Sequence, residues 1–255
     1  MRAIFDTHVH YDDEAFDADR DELLAALPSQ GVEKIVDVGA SLASSKKALE
    51  LARRYPHVYC ALGIHPEEAR DLDEDCIAWL RSSLKEEKCV ALGEIGLDYH
   101  WQDVPPDVQK EVFICQLALA KEAEKPIIVH SREAAADTAS ILRAHHDGRG
   151  VIHCFSYSKE MALEFAEMGY YIGIGGVLTY KNARKLVEAA EALPMERIVL
   201  ETDGPYLSPE PLRGKRNVSP NIAYVISRLA QIKGLAEEEV REQAWQNAHR
   251  LYELS

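Results

Sequence analysis

The sequence alternates short β-branched segments with stretches of helical periodicity, and this alternation occurs eight times. The eight apolar segments are 3–6, 34–38, 58–62, 90–92, 127–129, 151–153, 171–174 and 198–200. Between them apolar residues recur at intervals of three and four, as in Leu23, Leu24 and Leu27, which is the period of an amphipathic helix. Eight strand–helix units in 255 residues predict an α/β chain folded as a (β/α)8 TIM barrel.

An open, doubly wound sheet is the alternative fold for this pattern. That fold usually needs fewer strands, and its GxGxxG motif does not follow the first apolar segment here. Since no linker rich in glycine, serine or proline divides the chain, residues 1–255 are predicted to form a single domain. The longest loop is predicted at 204–218, and a last helix over about 236–252 is expected to pack outside the barrel.

The chain is strongly acidic, because 29 Lys and Arg residues oppose 43 Asp and Glu residues for a net charge of −14. Two stretches, 12–22 and 67–75, carry −6 and −5 of this charge. A protein of this charge repels DNA at long range, which excludes duplex binding through a broad basic face. The charge does not exclude a small pocket that holds one phosphate group.

The cysteine count and the apolar segments indicate the compartment. The five cysteines are odd in number and contain no CxxC pair, so neither a disulfide framework nor a thiolate zinc site is expected. The amino terminus lacks the apolar segment of a signal peptide. No window approaches the length of a transmembrane helix. We therefore expect a cytoplasmic protein without a membrane partner.

Histidines and carboxylates concentrate at the ends of the predicted strands. In a (β/α)8 barrel the catalytic groups lie on the loops that follow the strands. The starts of these loops cover about a tenth of the chain, so chance would place about one of the ten histidines there. Five are found there, namely His8, His10, His65, His130 and His153. Carboxylates join them at Glu94, Glu201 and Asp203, which predicts a metal centre at this end of the barrel.

The spacing of the first pair has a direct structural meaning. Residues two apart on a strand point to the same face, so His8 and His10 can both aim at the barrel mouth and chelate one ion. Asp6 shares that direction and is expected one layer deeper. Imidazole and carboxylate ligands together suit Zn, Mn, Fe or Mg, depending on geometry.

Glu94 follows the fourth strand, midway around the barrel between two groups of histidines, and is placed to bridge two ions. The candidate ligands are His8, His10, Glu94 and Asp203 for one ion, and Glu94, His130 and His153 for the second. Two ions about 4 Å apart can activate a water molecule and hold both oxygens of a phosphoryl displacement. The residues therefore favour a hydrolase with a dinuclear centre.

These motifs, in this order, resemble the TatD family of metal-dependent deoxyribonucleases, within the amidohydrolase-like barrels. The resemblance rests on segments 6–10 (DTHVH), 63–66 (GIHP), 93–99 (GEIGLDY), 130–134 (HSREA), 153–156 (HCFS), 201–207 (ETDGPYL) and 213–217 (RGKRN), with Gln109, Phe113 and Gln116. It extends over nearly the whole chain. The resemblance implies a TIM barrel with a dinuclear site that hydrolyses phosphodiester bonds, typically as an exonuclease.

The resemblance also implies a role for each site residue. It implies two groups of metal ligands that share one carboxylate: His8, His10 and Asp203 on one metal, His130 and His153 on the other, and Glu94 between them. It implies contacts to the scissile phosphate from His65 and Arg132, a supporting role behind the ligands for Glu201, and a place beside the substrate for Asn217. After Asn217 the chain reads Val218-Ser219-Pro220, whereas the family more often has an acidic or small residue directly followed by proline.

We therefore predict a hydrolase that uses two divalent ions (Mg, Mn or Zn) and removes nucleotides from the 3′ ends of single-stranded or frayed DNA. A water activated by the two metals would attack phosphorus, with Glu94 as the bridging catalytic residue and Asp203 placed to accept the proton. The expected substrates are DNA ends or short oligonucleotides. Residues 210–217, with a local charge of +2, would help to draw in a short flexible strand.

Two other classes of function fit parts of the pattern. One is a small-molecule amidohydrolase, although no lysine stands at a matching strand end to bridge the metals as a carbamate. Glutamate-bridged lactone and phosphotriester hydrolases remain within this class. The other is a non-catalytic metal-binding protein that acts in protein quality control or in complex assembly.

Overall fold

Eight parallel strands form one sheet whose spatial order follows the chain. The computed structural model describes residues 3–101 and 103–254. The strands are β1 Ile4–Val9, β2 Val32–Val38, β3 Val58–Leu62, β4 Cys89–Asp98, β5 Ile127–Arg132, β6 Gly150–Ile152, β7 Tyr171–Ile174 and β8 Ile198–Leu200. Thr7 Oγ1 of β1 donates a hydrogen bond of 3.0 Å to the Leu200 carbonyl of β8, so the two outermost strands meet. The predicted TIM barrel is confirmed as a single, nearly closed barrel.

Helices lie between the strands and follow the last one. Those within the described ranges are α1 Arg20–Ala26, α2 Leu42–Arg54, α3 Glu74–Ser83, α4 Pro106–Glu122, α5 Ala135–His145, α6 Lys159–Glu167, α7 Arg184–Ala192, α8 Ile222–Lys233 and α9 Glu237–Leu251. Side-chain caps start several of them: Ser41 and Ser44 form a capping box at α2, and Asp73 accepts from the Cys76 N–H at α3. None of the helices in these ranges is both long and apolar enough to cross a membrane.

The last helix closes one end of the barrel. Phe5 of β1, Ile128 of β5 and Val199 of β8 belong to one buried cluster with Trp245 and Tyr252 at the end of the chain. Because β1 and β5 lie four strands apart in the sheet, their side chains meet inside the barrel. Phe5 and Ile128 are also the second residues of their strands, so α9 covers the amino-terminal end.

Strand β4 is longer than its apolar segment suggests and extends into the carboxyl end of the barrel. It runs over ten residues, all buried, whereas the sequence predicted only 90–92. Its second half pairs with β5, with Gly96 opposite His130. Gly96 has a φ of +147°, and a Cβ atom there would lie 1.9 Å from the His130 carbonyl oxygen. Glycine at this position therefore lets β4 approach the strand that carries His130.

Candidate metal centre

The centre begins with the two histidines at the end of β1. Their Nε2 atoms lie 3.1 Å apart. His10 Nδ1 lies 2.7 Å from the Val38 carbonyl oxygen, which only accepts hydrogen bonds, so Nδ1 carries a proton and Nε2 faces the cleft. Asp203, which follows β8, places Oδ1 3.3 Å from His10 Nε2 and 3.8 Å from His8 Nε2. These three residues form the first group of candidate ligands.

Glu94 on β4 faces two groups of histidines at once. Its Oε1 atom lies 2.8 Å from His130 Nδ1 and 3.0 Å from His153 Nε2. Its Oε2 atom lies 3.5 Å from His8 Nε2 and 3.9 Å from His10 Nε2. Two sets of ligand atoms, each within 4.8 Å of one another, share this carboxylate: His8, His10 and Glu94, and Glu94, His130 and His153. The structure therefore brings together the residues that the sequence grouped around Glu94.

Asp203 is held in its position by the backbone. Its N–H donates a hydrogen bond of 2.9 Å to the His8 carbonyl, which ties the loop after β8 to the end of β1. Its φ of +56° lies in the left-handed region, which non-glycine residues adopt mainly where the surrounding structure enforces it, often at functional sites.

Glu201, to which the resemblance assigned a supporting role, lies on the Nδ1 side of His153. Its Oε1 atom lies 3.5 Å from His153 Nδ1 and accepts a hydrogen bond of 2.6 Å from the Cys154 N–H. The carboxylate also comes within 4.8 Å of a ring nitrogen of His8. A Cβ atom on Gly173 would lie 2.4 Å from Glu201 Oε2, so the glycine on β7 leaves the space that this buried carboxylate occupies.

Opposite charges face each other within the buried centre. Burial opposes ionisation of Glu94, but His153, His130 and His8 outweigh it and hold the pKa of Glu94 well below its usual range. Burial likewise opposes the charged form of His10, yet Asp203 and its other acidic neighbours raise the pKa of His10 to about 10. Glu94 and Glu201 similarly raise the pKa of His153 well above its usual value against the cost of burial. Without a cation, protons on these imidazoles balance the carboxylates.

The donor set fits divalent cations. Imidazole nitrogens and carboxylate oxygens are the ligands that Zn, Mn and Fe accept in proteins. The Nε2 atoms of His8 and His153 face the shared carboxylate, at 3.5 Å and 3.0 Å from Glu94. A buried carboxylate such as Glu94 needs protonated partners or a cation beside it. Cations could replace the protons that now balance Glu94 and Asp203.

Asp98, at the end of β4, was missed as a candidate site residue by the sequence analysis. Its Oδ1 atom accepts hydrogen bonds from the backbone N–H groups of His100 and Trp101. Its Oδ2 atom lies 2.9 Å from His130 Nε2, and Asp98 forms a further group of potential ligands with His65 and His130. Side chains two or four residues apart on a strand point to the same face. The signal for Asp98 is therefore its spacing of four residues from Glu94 on one strand.

The predicted phosphate contacts lie at the mouth of the same cleft, which has a volume of about 600 Å³. His65 is mostly buried, and its ring centroid lies 4.3 Å from that of His130. Burial and the charge of His130 lower the pKa of His65 to about 3, so its ring is neutral. Arg132 is exposed, and its guanidinium lies 5.7 Å from the centre of the Trp101 ring. Both side chains border the space next to Glu94.

One expectation from the sequence does not agree with the structure. Asn217 is fully buried and lies outside the cleft. Its Nδ2 atom donates to the Thr202 carbonyl, and its Oδ1 atom accepts from Val218 and Asn221. The amide holds the loop in place, and its position contradicts the expected substrate contact. Asp6 is fully buried next to His8, whose N–H donates to Asp6 Oδ1 at 3.3 Å, and Asp6 Oδ2 accepts a hydrogen bond of 2.6 Å from Thr202 Oγ1.

Comparisons with known proteins identify the family of this chain. The family model described as TatD related DNase matches residues 5–253. The uncharacterized metal-dependent hydrolase YabD of Bacillus subtilis is 42% identical over 99% of this chain and 100% of its own length. The 3′-5′ ssDNA/RNA exonuclease TatD of Cronobacter sakazakii is 33% identical over 98% of this chain and 97% of its own.

A solved structure shows the same fold. The crystal structure of YjjV, a TatD homologue from Escherichia coli K12, superimposes with a TM-score of 0.93 at 32% identity, and the match covers 99% of this chain and 98% of that one. The family match spans the barrel and every candidate ligand described above. The chain therefore belongs to the TatD family of metal-dependent hydrolases.

Proposed function

We propose that the protein is a phosphodiesterase that releases nucleotides from the 3′ end of single-stranded DNA. The observation that carries this proposal is Glu94, whose two carboxylate oxygens face two separate pairs of histidines in one cleft. A carboxylate between two ligand groups is the arrangement that two-metal phosphoryl transfer uses. The Cronobacter relative, named as an exonuclease on single-stranded DNA and RNA, supports the choice of substrate.

The proposed ligands divide into two groups. His8, His10 and Asp203 would hold one divalent ion, His130 and His153 the second, and Glu94 would contact both. When bound, two such ions (Mg, Mn or Zn) would supply the Lewis acidity that lowers the pKa of water and offsets charge on the phosphate. Asp98 and Glu201 would orient His130 and His153 through their second ring nitrogens, as carboxylates behind ligating histidines do.

The side chains of the cleft would then perform the remaining steps. Asp203 accepts the proton of the attacking water as its oxygen bonds to phosphorus and the bond from phosphorus to the 3′ oxygen breaks. The departing oxygen takes a proton from solvent, which yields a 5′-mononucleotide and a strand shortened by one residue. The guanidinium of Arg132 can hold two phosphate oxygens at once.

His65 would contact the phosphate as a neutral donor. Its Nδ1 atom accepts a hydrogen bond of 3.3 Å from the Glu67 N–H, so Nε2 carries the ring proton and can donate it to a phosphate oxygen. The low pKa of His65 excludes the positively charged form near neutral pH. The positive charge at the phosphate would thus come from Arg132 and from bound cations.

A product-mapping assay tests the proposal. The protein is stripped of metal, reloaded with Mg, Mn or Zn, and incubated with single-stranded DNA that carries a label at its 5′ end. We expect a ladder that shortens one nucleotide at a time, with duplex DNA degraded more slowly. Parallel assays contain RNA, a lactone and a cyclic amide. The proposal is wrong if the metal-loaded protein hydrolyses the lactone or the amide but no nucleic acid, or if it hydrolyses none of these substrates.

A further inference from the structure

A second cavity, of about 560 Å³, adjoins the metal cleft. We call it the aromatic–basic groove, and define it by Tyr180, Tyr206, Arg213 and Lys215, which line it. Tyr206 also lines the metal cleft, so this residue borders both spaces. The ring centroid of Tyr206 lies 6.3 Å from that of His10, which places the start of the groove beside the proposed metal ligands.

Tyr206 presents an aromatic surface that the rest of the protein does not cover. The residue is 53% exposed, and the neighbouring Leu207 is 37% exposed. Two hydrogen bonds nevertheless hold Tyr206 in place: its hydroxyl donates to Asp13 Oδ2 at 2.7 Å, and its N–H donates to the Asp203 carbonyl at 2.9 Å. An exposed ring with a fixed orientation is suited to stacking against a planar ligand.

Two cations of the groove, Arg213 and Lys215, lack an acidic partner. Arg54 pairs with Asp21, and Arg216, which also lines the cavity, pairs with Asp19. In contrast, no carboxylate of the described residues lies within 4.0 Å of Arg213 or Lys215. The guanidinium of Arg213 instead lies 4.5 Å from the centre of the Tyr180 ring. In a chain with a net charge of −14, such groups remain available for an anion from outside.

The loop that carries these cations is anchored to the barrel. Arg216 binds Asp19 through two hydrogen bonds and the Ala15 carbonyl through a third. The Asn217 N–H donates to the Pro205 carbonyl at 2.9 Å, and the Asn217 side chain binds Thr202 as described above. The groove therefore exists without a ligand, so binding need not order the loop first.

We propose that the aromatic–basic groove binds the nucleotides on the 5′ side of the scissile bond in a single-stranded substrate. This inference rests on the proposed function and extends it to the next part of the strand. The base next to the scissile phosphate stacks on Tyr206, and the phosphates beyond it contact Arg213 and Lys215. Stacking and phosphate contacts of this kind tolerate any base sequence but require an unpaired strand.

The order of contacts along the groove makes the proposal testable by substrate length. We compare KM for bis(4-nitrophenyl) phosphate and for thymidylate oligonucleotides of two, three, four and six residues. In the wild-type protein KM should fall as the substrate lengthens from bis(4-nitrophenyl) phosphate to the hexanucleotide. Tyr206→Ala is expected to abolish the fall that begins at the dinucleotide, so that KM for the hexanucleotide is about 10-fold higher than in wild type. The double variant Arg213→Gln/Lys215→Gln should keep the decrease in KM at the dinucleotide and lose the further decrease for oligonucleotides of three or more residues. Its log KM should also depend less steeply on log salt, by about 1.4 for two lost phosphate contacts.

Matched variants separate the groove from general effects. Tyr206→Phe loses the hydrogen bond to Asp13 but keeps the aromatic face, so it should retain the affinity that Tyr206→Ala loses. Lys85→Gln removes an exposed cation at the opposite end of the barrel and should leave all kinetic constants unchanged. Circular dichroism and thermal unfolding identify any variant that is misfolded.

A binding assay tests the groove even if the proposed reaction is wrong. The probe is a phosphorothioate hexanucleotide with one 2-aminopurine, which resists hydrolysis and loses fluorescence when its base stacks. We expect quenching with the wild-type protein in Mg, and Kd values about 10-fold higher for Tyr206→Ala. The groove proposal is overturned if Tyr206→Ala and the double variant bind the probe within twofold of wild type. The proposed function fails independently if the wild-type protein binds the probe but cleaves no phosphodiester.

Discussion

The two ends of the barrel differ in what they bury. At the amino-terminal end, Phe5, Ile128 and Trp245 form an apolar cluster, and the buried hydroxyl of Tyr252 donates a hydrogen bond of 2.7 Å to the Thr7 carbonyl. At the carboxyl end the chain buries Glu94, Glu201, His8 and His153, and among the described residues Nδ1 of both histidines and Oε2 of Glu201 have no hydrogen-bond partner. Burial of such groups costs stability, so the comparison indicates that one end is built for folding and the other for function.

The largest effect that would follow from this difference is the loss of activity in Glu94→Ala. The substitution removes the carboxylate that faces both histidine groups, while the apolar cluster at the other end keeps the fold. We expect kcat/KM for single-stranded DNA to fall about 1,000-fold or more. Metal content is measured by mass spectrometry beside the rate. Glu87→Ala, an exposed acid just before β4, is the control. A Glu94→Ala enzyme with near wild-type rates in saturating metal would refute the assignment of the site.

The converse change, Trp245→Ala, should lower stability and spare chemistry. Trp245 packs at the amino-terminal end, with its ring centroid 6.0 Å from that of Phe5. Truncation of a large buried aromatic residue removes about 3–5 kcal/mol from the free energy of unfolding. Urea denaturation measures this loss of stability. At a low temperature, where the variant is folded, its rate of hydrolysis per folded molecule should stay within twofold of wild type. A large fall in that rate would show that the two ends are energetically coupled.

Asp98→Asn sharpens the comparison within the carboxyl end. The carboxylate touches His130 Nε2, and an amide of the same shape preserves packing but weakens the orientation of the imidazole. Loss of such a partner typically lowers metal affinity about 10- to 100-fold. The variant should therefore need more Mg or Mn for half-maximal activity and recover much of its kcat at high metal concentration. If metal affinity stays unchanged, Asp98 serves only the backbone N–H groups of His100 and Trp101.

Local sequence patterns predict the first and last residues of a strand where that strand coincides with a continuous apolar segment. The predicted and observed bounds agree for Val58–Leu62, Tyr171–Ile174 and Ile198–Leu200. They disagree for β4, where Gly93 and Gly96 interrupt the apolar pattern although backbone pairing with β5 continues to Asp98. The short prediction for β4 left Asp98 outside the strand, and its contact with His130 was missed for this reason.

Long-range contacts account for the residue that the sequence motifs misplaced. Asn217 lies in a loop whose path depends on hydrogen bonds to Thr202 and Pro205. Those hydrogen bonds leave no signal in the residues that neighbour Asn217 in the sequence.

The smallest predicted effect is the number of protons that the protein releases when it binds metal. This number distinguishes the charged centre at the carboxyl end from the apolar cluster at the amino-terminal end. The raised pKa values of His10, about 10, and of His153 mean that both imidazoles carry protons at pH 7 in the metal-free protein. A ligating histidine must be neutral, so metal binding should release about one to two protons per protein. Calorimetric titration in buffers of different ionisation enthalpy measures this number.

The pH dependence follows from the sign of these shifts. A histidine whose pKa is raised by folding, as that of His10 is from 6.5 to about 10, stabilises the metal-free protein fully below pH 6.5. This contribution is lost as the pH rises through about 10. Metal affinity should increase over the same interval, because fewer protons must then be displaced. His10→Gln should release about one proton fewer than wild type, whereas His145→Gln, at an exposed histidine that ends α5, should release the same number. Equal release by all three proteins would show that cations do not replace the proton on His10.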